Sequence, residues 1–197
     1  MSVAPSGGVL MSKLISLVDI SALFAWLVVD FAVVFSRHPK NVKRSDRFSL
    51  LGVLVWVWVG IYLAFAWRLV GRVGMFEVPV QIVGLMLLAV GIAFRFVAIA
   101  QLGKYHTPDV AVQAGHRVVD TGLYRRIRHP SYLGASIALL GFGLGLGSVA
   151  SAAAVVACAL IGYAYRISVE ERALLKSLGE DYAAYCRRTY RLIPGVY

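Results

Sequence analysis

The feature that most limits the possible folds of this sequence is a series of apolar runs, each about 20 residues long. Three of them occupy residues 14–35, 48–67 and 80–100. At 1.5 Å per residue, a helix of about 20 residues crosses the ~30 Å hydrocarbon core of a bilayer. With 59% hydrophobic and 15% charged residues, the chain is too apolar for an ordinary water-soluble domain. The sequence therefore predicts an all-α integral membrane protein.

A fourth apolar run, residues 133–165, is too long for one crossing and barely long enough for two. A helical hairpin that turns near Gly147-Ser148 fits this length best. The prediction is thus a single membrane domain over residues 1–197, with about five transmembrane helices: three single spans and a C-terminal hairpin. A loop at 101–132 and a tail at 166–197 complete the chain.

The distribution of basic residues predicts the orientation of these spans. Segments 37–47, 101–132 and 166–197 hold five, five and six Lys or Arg residues, whereas 1–13 and 68–79 together hold three. By the positive-inside rule, the three basic segments are cytoplasmic and the N-terminus is external. The net charge of +10 then indicates contact with anionic lipid headgroups, not with nucleic acid.

Few residues within the spans suggest chemistry. Cys158 and Cys186 have no second Cys or His at metal-ligand spacing, so we expect no disulfide and no metal. Ionisable groups inside a membrane are functional candidates by default. Asp30 and Arg95 are expected within a turn or two of the cytoplasmic ends, where a charge can reach the interface. For Asp19, which is deeper, a helix-to-helix hydrogen bond and a functional role stay open.

The loop at 101–132 is rich in His, Tyr and Arg and has little helical periodicity. After the hairpin, the spacing of apolar residues from Arg166 to Leu178 predicts a helix that leaves the membrane and stops at Gly179. Arg166 and Glu170 are four residues apart and therefore share a face of this helix. We expect that face to lie where the loop re-enters the membrane at Tyr132.

The series Gly141, Gly143, Gly145 and Gly147 does not mark a dinucleotide-binding loop, because it lies inside an apolar run with no preceding strand. Glycines at this spacing fall on two faces of a helix. They predict close helix packing in the hairpin.

The motif HRVVDTGLYRRIRHPSYLG, followed by the hairpin and then by RxxxEExxLxxxxGExYxxY, resembles the isoprenylcysteine carboxyl methyltransferase family and the related phospholipid methyltransferases. The resemblance covers roughly residues 101–194. It implies a methyltransferase that works inside the membrane with S-adenosylmethionine as cofactor, held by the loop and the tail together. The residues that it implies for cofactor binding are His116, Val118, Val119, Tyr124, His129, Pro130, Ser131, Tyr132, Glu170 and Glu171.

The same resemblance implies that Arg166 contacts the substrate and that Arg166 and Glu170 are catalytic. A carboxylate acceptor is already ionised at neutral pH, needs no general base and can be oriented by an arginine. We therefore expect a carboxylate or other acceptor on a lipophilic small molecule, a lipid or a prenylated substrate that enters from the bilayer.

Two alternatives stay open. The first is a phospholipid N-methyltransferase. The second is a membrane sterol reductase that uses NADPH, although such reductases generally have more spans. The sequence leaves open the identity of the acceptor, the choice between O-, N- and S-methylation, and the oligomeric state.

Overall fold

The computed structural model describes residues 6–36, 48–70, 78–107 and 117–196. In these ranges the chain forms six α-helices: α1 (Ser6–Ser36), α2 (Phe48–Val70), α3 (Val78–Leu102), α4 (Pro130–Gly145), α5 (Val149–Leu178) and α6 (Glu180–Arg188). By length and composition, α1, α2, α3 and α5 can cross a membrane, and α4 is a shorter apolar helix. The predicted fold class, an all-α multi-pass membrane protein with a C-terminal hairpin, is confirmed.

The hairpin formed by α4 and α5 turns where the sequence predicts. Gly147 adopts a φ of +81°, which favours glycine, and the Ser148 side chain caps α5 by accepting a hydrogen bond from the Ser151 amide at 3.2 Å. The two arms are unequal. Helix α4 has 16 residues, about 24 Å at 1.5 Å per residue, whereas α5 has 30 and continues beyond the predicted span to the stop at Gly179.

The glycines of α4 allow its backbone to touch two neighbouring helices. A Cβ added at Gly141 would lie 2.3 Å from the backbone nitrogen of Leu88 on α3. One added at Gly143 would lie 2.2 Å from the Cα of Ala152 on α5. Close packing of small residues is a main source of helix association in membranes. The sequence placed this contact in the hairpin alone, and the structure extends it to α3.

Two ionisable residues of the spans pair with each other. Arg95 on α3 donates from Nε to Asp30 Oδ1 at 2.6 Å and from Nη2 to Asp30 Oδ2 at 2.9 Å. Their place near the interface stays a prediction, and the pairing is a feature that the sequence did not predict. Opposite charges attract strongly where the dielectric constant is low, and the pair joins α1 to α3.

Polar contacts bring several helix ends to one end of the bundle. Arg95 Nη1 donates to the Ser131 carbonyl at 3.2 Å, which joins the end of α3 to the start of α4. Arg166 Nη1 donates to Ser49 Oγ at 2.6 Å, which joins α5 to the start of α2. The loop and the tail both emerge at this end. The side of the membrane on which it lies stays a prediction.

Candidate active site

The last residues of the loop run beside the tail. The Arg128 amide donates to the Tyr190 carbonyl at 2.7 Å, and the Tyr190 amide donates to the Arg126 carbonyl at 2.9 Å. One residue further, the His129 amide donates to the Arg191 carbonyl at 3.0 Å. This short parallel pairing fixes the loop just before α4 begins, so the tail determines where His129 points.

Two buried tyrosines attach α6 to the loop and the loop to α3. The Tyr185 hydroxyl donates to the Tyr124 carbonyl at 2.7 Å, and the Tyr124 hydroxyl donates to the Ala98 carbonyl at 3.3 Å. Burial raises the pKa of both phenols above the ordinary value. Both therefore stay neutral donors at physiological pH.

Glu171 on α5 is the centre of an ion network. Its Oε1 accepts from Arg128 Nε at 2.7 Å and lies 3.4 Å from His129 Nε2. Its Oε2 accepts from Arg191 Nε at 2.9 Å. One carboxylate thus fastens α5, the loop and the tail together.

The neighbouring Glu170 faces a different direction. Its Oε1 accepts from the Tyr132 hydroxyl at 3.0 Å and from Arg166 Nε at 3.1 Å, and its Oε2 lies 3.5 Å from His129 Nδ1. The Tyr132 ring stacks on Tyr163, with centroids 4.9 Å apart. Glu170, Tyr132 and Arg166 therefore form one connected group at the mouth of the helix bundle.

A first cavity, of about 900 Å³, opens between the loop and the tail. Seven of the residues that the sequence predicted for the cofactor line it: Val118, Val119, Tyr124, His129, Ser131, Tyr132 and Glu170. Pro130 and Glu171 lie next to this lining but are not part of it, and His116 lies outside the described residues.

The sequence reasoning did not select the other lining residues. They are Leu102, Tyr105, His106, Thr107, Arg117, Arg128, Leu174, Leu178, Tyr182 and Tyr185. A signal existed for the last two, since they are the tyrosines of the GExYxxY motif. No sequence signal pointed to Tyr105, His106 or Thr107.

A second cavity, of about 1020 Å³, lies among the helices. Half of its lining residues are apolar residues of α1 and α2: Trp26, Leu27, Phe31, Leu50, Val53, Leu54, Val57 and Trp58. Asp30, Arg95, Tyr163 and Arg166 add polar groups to it. The two cavities share His106, Thr107 and Tyr132, so Arg166 and Glu170 stand on either side of their junction.

The comparison with known protein families agrees with this architecture. Residues 82–176 match the model of the isoprenylcysteine carboxyl methyltransferase (ICMT) family. That segment is similar to the ICMT family. It contains α4, most of α5 and both members of the Arg166–Glu170 pair, and it confirms the resemblance seen in the motifs.

Individual relatives cover a similar part of the chain. Protein-S-isoprenylcysteine O-methyltransferase A of Arabidopsis thaliana is 32% identical over 115 residues, 57% of this chain and 58% of that protein. The Schizosaccharomyces pombe protein-S-isoprenylcysteine O-methyltransferase is 31% identical over 107 residues, 47% of this chain and 45% of that protein. The chain thus spans about half to three fifths of the length of the curated relatives it matches.

The fold extends beyond the family segment. The structure of a eukaryotic intramembrane Ras methyltransferase, ICMT, aligns with 98% of this chain and 69% of that chain, with a TM-score of 0.62 and 20% sequence identity. At this identity the likeness concerns the fold alone. It supports a multi-pass membrane protein over the whole chain, including α1 and α2.

Proposed function

We propose that this protein is an integral membrane methyltransferase that transfers a methyl group from S-adenosylmethionine to a carboxylate on a lipophilic or prenylated acceptor. The observation that supports this best is the pair of adjoining cavities. The first lies between the loop and the tail and has a mixed lining of charged, aromatic and aliphatic side chains. The second lies among the helices and is more apolar, and the Arg166–Glu170 pair stands at the junction of the two.

The groups around the first cavity suit S-adenosylmethionine. The rings of Tyr105 and Tyr124 offer surfaces on which an adenine can stack. Arg117 suits the carboxylate of the amino acid end, and Glu170 suits a cation. When bound, S-adenosylmethionine supplies a methyl group activated on a sulfonium cation.

The charges at the junction favour an anionic acceptor. Glu170 already balances Arg166, with 3.1 Å between Oε1 and Nε. A sulfonium cation in the first cavity adds a second positive charge beside this single carboxylate. An ionised carboxylate in the second cavity restores neutrality, whereas an ammonium group would add a third positive charge. This balance supports carboxyl methylation over methylation of an amine.

Arg166 is suited to orient such an acceptor. Two partners fix its guanidinium, Glu170 at Nε and Ser49 at Nη1, so it is held in place before the acceptor binds. A carboxylate with a pKa near 4 is ionised at neutral pH and needs no general base. The chain therefore has to position the two reactants, and orientation alone can contribute about 7–11 kcal/mol to the lowering of a barrier.

The second cavity suits the apolar part of the acceptor. Phe31, Leu54 and Trp58 line it and also expose apolar surface on the outside of the bundle. In a membrane, this outer surface faces lipid tails. We infer that the acceptor enters sideways from the bilayer with its polar end towards Arg166, and that this end of the bundle is cytoplasmic.

The proposal is tested by equilibrium binding of S-adenosylmethionine to the purified full chain. Glu170→Ala and His129→Ala should each weaken binding about tenfold or more, because each removes a polar group that lines the first cavity. Glu180→Ala, which removes an exposed acid of α6, serves as the control. Unchanged affinity in both of the first two variants would contradict the cofactor site.

The reaction itself needs a second experiment. Labelled S-adenosylmethionine is incubated with the protein and either a total lipid extract or an S-farnesyl-cysteine derivative. A base-labile methyl ester is the expected product. A methylated amine would support the phospholipid N-methyltransferase instead, and binding of NADPH without S-adenosylmethionine would support the reductase.

A further inference from the structure

The start of α4 brings three residues, His129, Ser131 and Tyr132, to the first cavity. Within the described part of the chain, the His129 side chain forms no cap for this helix, and Pro130 has no N–H group to donate. Backbone bonds to the tail hold this region on one side, such as that of the His129 amide to the Arg191 carbonyl. On the other side, its position depends on contacts with the helix bundle.

Arg95 on α3 makes such a contact. A Cβ added at Gly134 would lie 2.7 Å from the Arg95 backbone nitrogen, so the backbones of α3 and α4 touch there. One turn closer to the start of α4, Arg95 Nη1 donates to the Ser131 carbonyl at 3.2 Å. Asp30 binds the other edge of the guanidinium, at Nε and Nη2. The planar group is therefore fixed on α1 while it holds the first turn of α4.

We propose that Arg95 is a positioning residue for the cofactor site and that Asp30 acts through it. The pair holds the first turn of α4 where Ser131 and Tyr132 contact S-adenosylmethionine, an inference that rests on the proposed function. Arg95 itself lines the second cavity and is not among the described residues that line the first, so its effect on the cofactor is indirect. The pair also gives α1 a part in the cofactor site, although α1 lies outside the matched segment 82–176.

A purely structural role is the alternative, because the Asp30–Arg95 pair also joins α1 to α3. Under that alternative, cofactor affinity falls only as far as the whole fold loosens. Under the proposal, the affinity depends on the bond from Arg95 to the Ser131 carbonyl. Variants that keep the helices joined but lose this bond separate the two explanations.

The first variant is Arg95→Lys, studied as the purified full chain in lipid nanodiscs. Lysine keeps a positive charge beside Asp30, but its single ammonium group lacks the planar fork of donors that spans Asp30 and Ser131. Binding of S-adenosylmethionine should weaken about fivefold to tenfold, as expected for one lost hydrogen bond.

The second variant combines Asp30→Asn with Arg95→Gln. Removing both charges avoids the large cost of leaving one of them buried without a partner, so the midpoint of thermal unfolding should lie near that of the wild type. Glutamine has a shorter side chain and one amide group, which cannot bridge residue 30 and the Ser131 carbonyl. S-adenosylmethionine affinity should therefore stay as weak as in Arg95→Lys. Under a purely structural role, the affinity would recover together with the stability.

Ser151→Ala is the control for a lost bond between helices. Ser151 is fully buried, and its Oγ donates to the Ala64 carbonyl at 2.8 Å, which joins α5 to α2 near the hairpin turn. It is not among the described residues that line either cavity. This variant should lower the midpoint of thermal unfolding and change S-adenosylmethionine affinity less than about twofold.

Hydrogen exchange at the start of α4 needs no ligand and so separates this inference from the proposed function. The amides of Tyr132 and Leu133 donate to the His129 carbonyl at 3.2 and 3.3 Å. Both should exchange about fivefold to tenfold faster in Arg95→Lys than in the wild type, and at the wild-type rate in Ser151→Ala.

Unchanged S-adenosylmethionine affinity in Arg95→Lys, or recovery of that affinity in the neutral double variant, would overturn the inference. An equal loss of affinity in Ser151→Ala would overturn it as well. If the wild type does not bind S-adenosylmethionine but the amides of Tyr132 and Leu133 respond as expected, the proposed function is wrong while Arg95 still positions the start of α4.

Discussion

Replacing Glu171 by glutamine is expected to release the tail from the loop without changing the lining of either cavity. Glutamine has nearly the same size as glutamate and keeps one acceptor oxygen. It removes the negative charge that holds Arg128 at 2.7 Å and Arg191 at 2.9 Å. Any effect on cofactor binding would therefore act through the position of the loop.

The burial of the two arginines sets the size of the effect. The Arg128 side chain is 10% exposed and that of Glu171 is 8% exposed, and breaking such a buried pair costs about 3–5 kcal/mol. Arg191 is 39% exposed, so its pair adds at most about 1 kcal/mol. Arg128 retains bonds to the Cys186 carbonyl and to Thr189. We therefore expect a loss of about 3 kcal/mol, which is roughly a hundredfold in the docking equilibrium.

Hydrogen exchange of the tail amides measures this directly. The Tyr190 amide, bonded to the Arg126 carbonyl at 2.9 Å, should exchange about a hundredfold faster in Glu171→Gln. The matched control is Glu180→Gln, the same substitution in an ion pair with Arg187 whose side chains are 78% and 65% exposed. If Tyr190 is protected equally in the two variants, the carboxylate of Glu171 does not hold the tail.

Three other predictions concern a helix contact, a partner of Glu170 and two buried phenols. Gly141→Ala should push α4 away from α3 and lower the free energy of unfolding by about 1–3 kcal/mol. The control Gly8→Ala should not, because nothing lies within 4 Å of the added Cβ. Thermal unfolding in detergent compares the two variants. Tyr132→Phe should weaken S-adenosylmethionine binding about tenfold by freeing Glu170 from one of its partners, as calorimetry would reveal. Burial raises the pKa of Tyr124 and Tyr185, so their contribution to docking should be complete below their ordinary pKa of about 10 and be lost as the pH rises beyond it. Absorbance of the phenolates at alkaline pH, recorded with tail exchange, would test this.

The bundle was largely predictable because its determinants are local. The length of the apolar run at 133–165 required two helices, and Gly147-Ser148 supplied a turn and a cap in the same place. The pairing of Asp30 with Arg95 was not predictable, because 65 residues separate them. Their contact depends on how α1 and α3 are rotated about their axes. Apolar runs that are hydrophobic all round contain little information about such rotation.

The candidate site shows a different limit of sequence reasoning. A sequence motif gives the order of residues but not the directions in which their side chains point. Glu170 and Glu171 illustrate this difference. Successive side chains of a helix point about 100° apart, so Glu170 faces the cavity junction while Glu171 faces Arg128 and Arg191. The resemblance of the motif predicts cofactor binding for both.

Glu170 and Glu171 have different roles because the loop cannot hold its position without contacts from other segments. Residues 117–129 contain only a short 3-10 turn, so the loop has little regular hydrogen bonding with which to hold His129 in place. The stop at Gly179 turns the chain so that residues 189–191 return beside the loop, where Glu171 and the backbone of Tyr190 bind it. Helix α5 thus uses Glu170 to line the cavity. It needs Glu171, the next residue, to hold the loop that forms the other side of that cavity. This requirement gives a physical reason for the adjacent pair, and it predicts that loss of Glu171 lowers cofactor affinity by misplacing His129 and not by removing a contact.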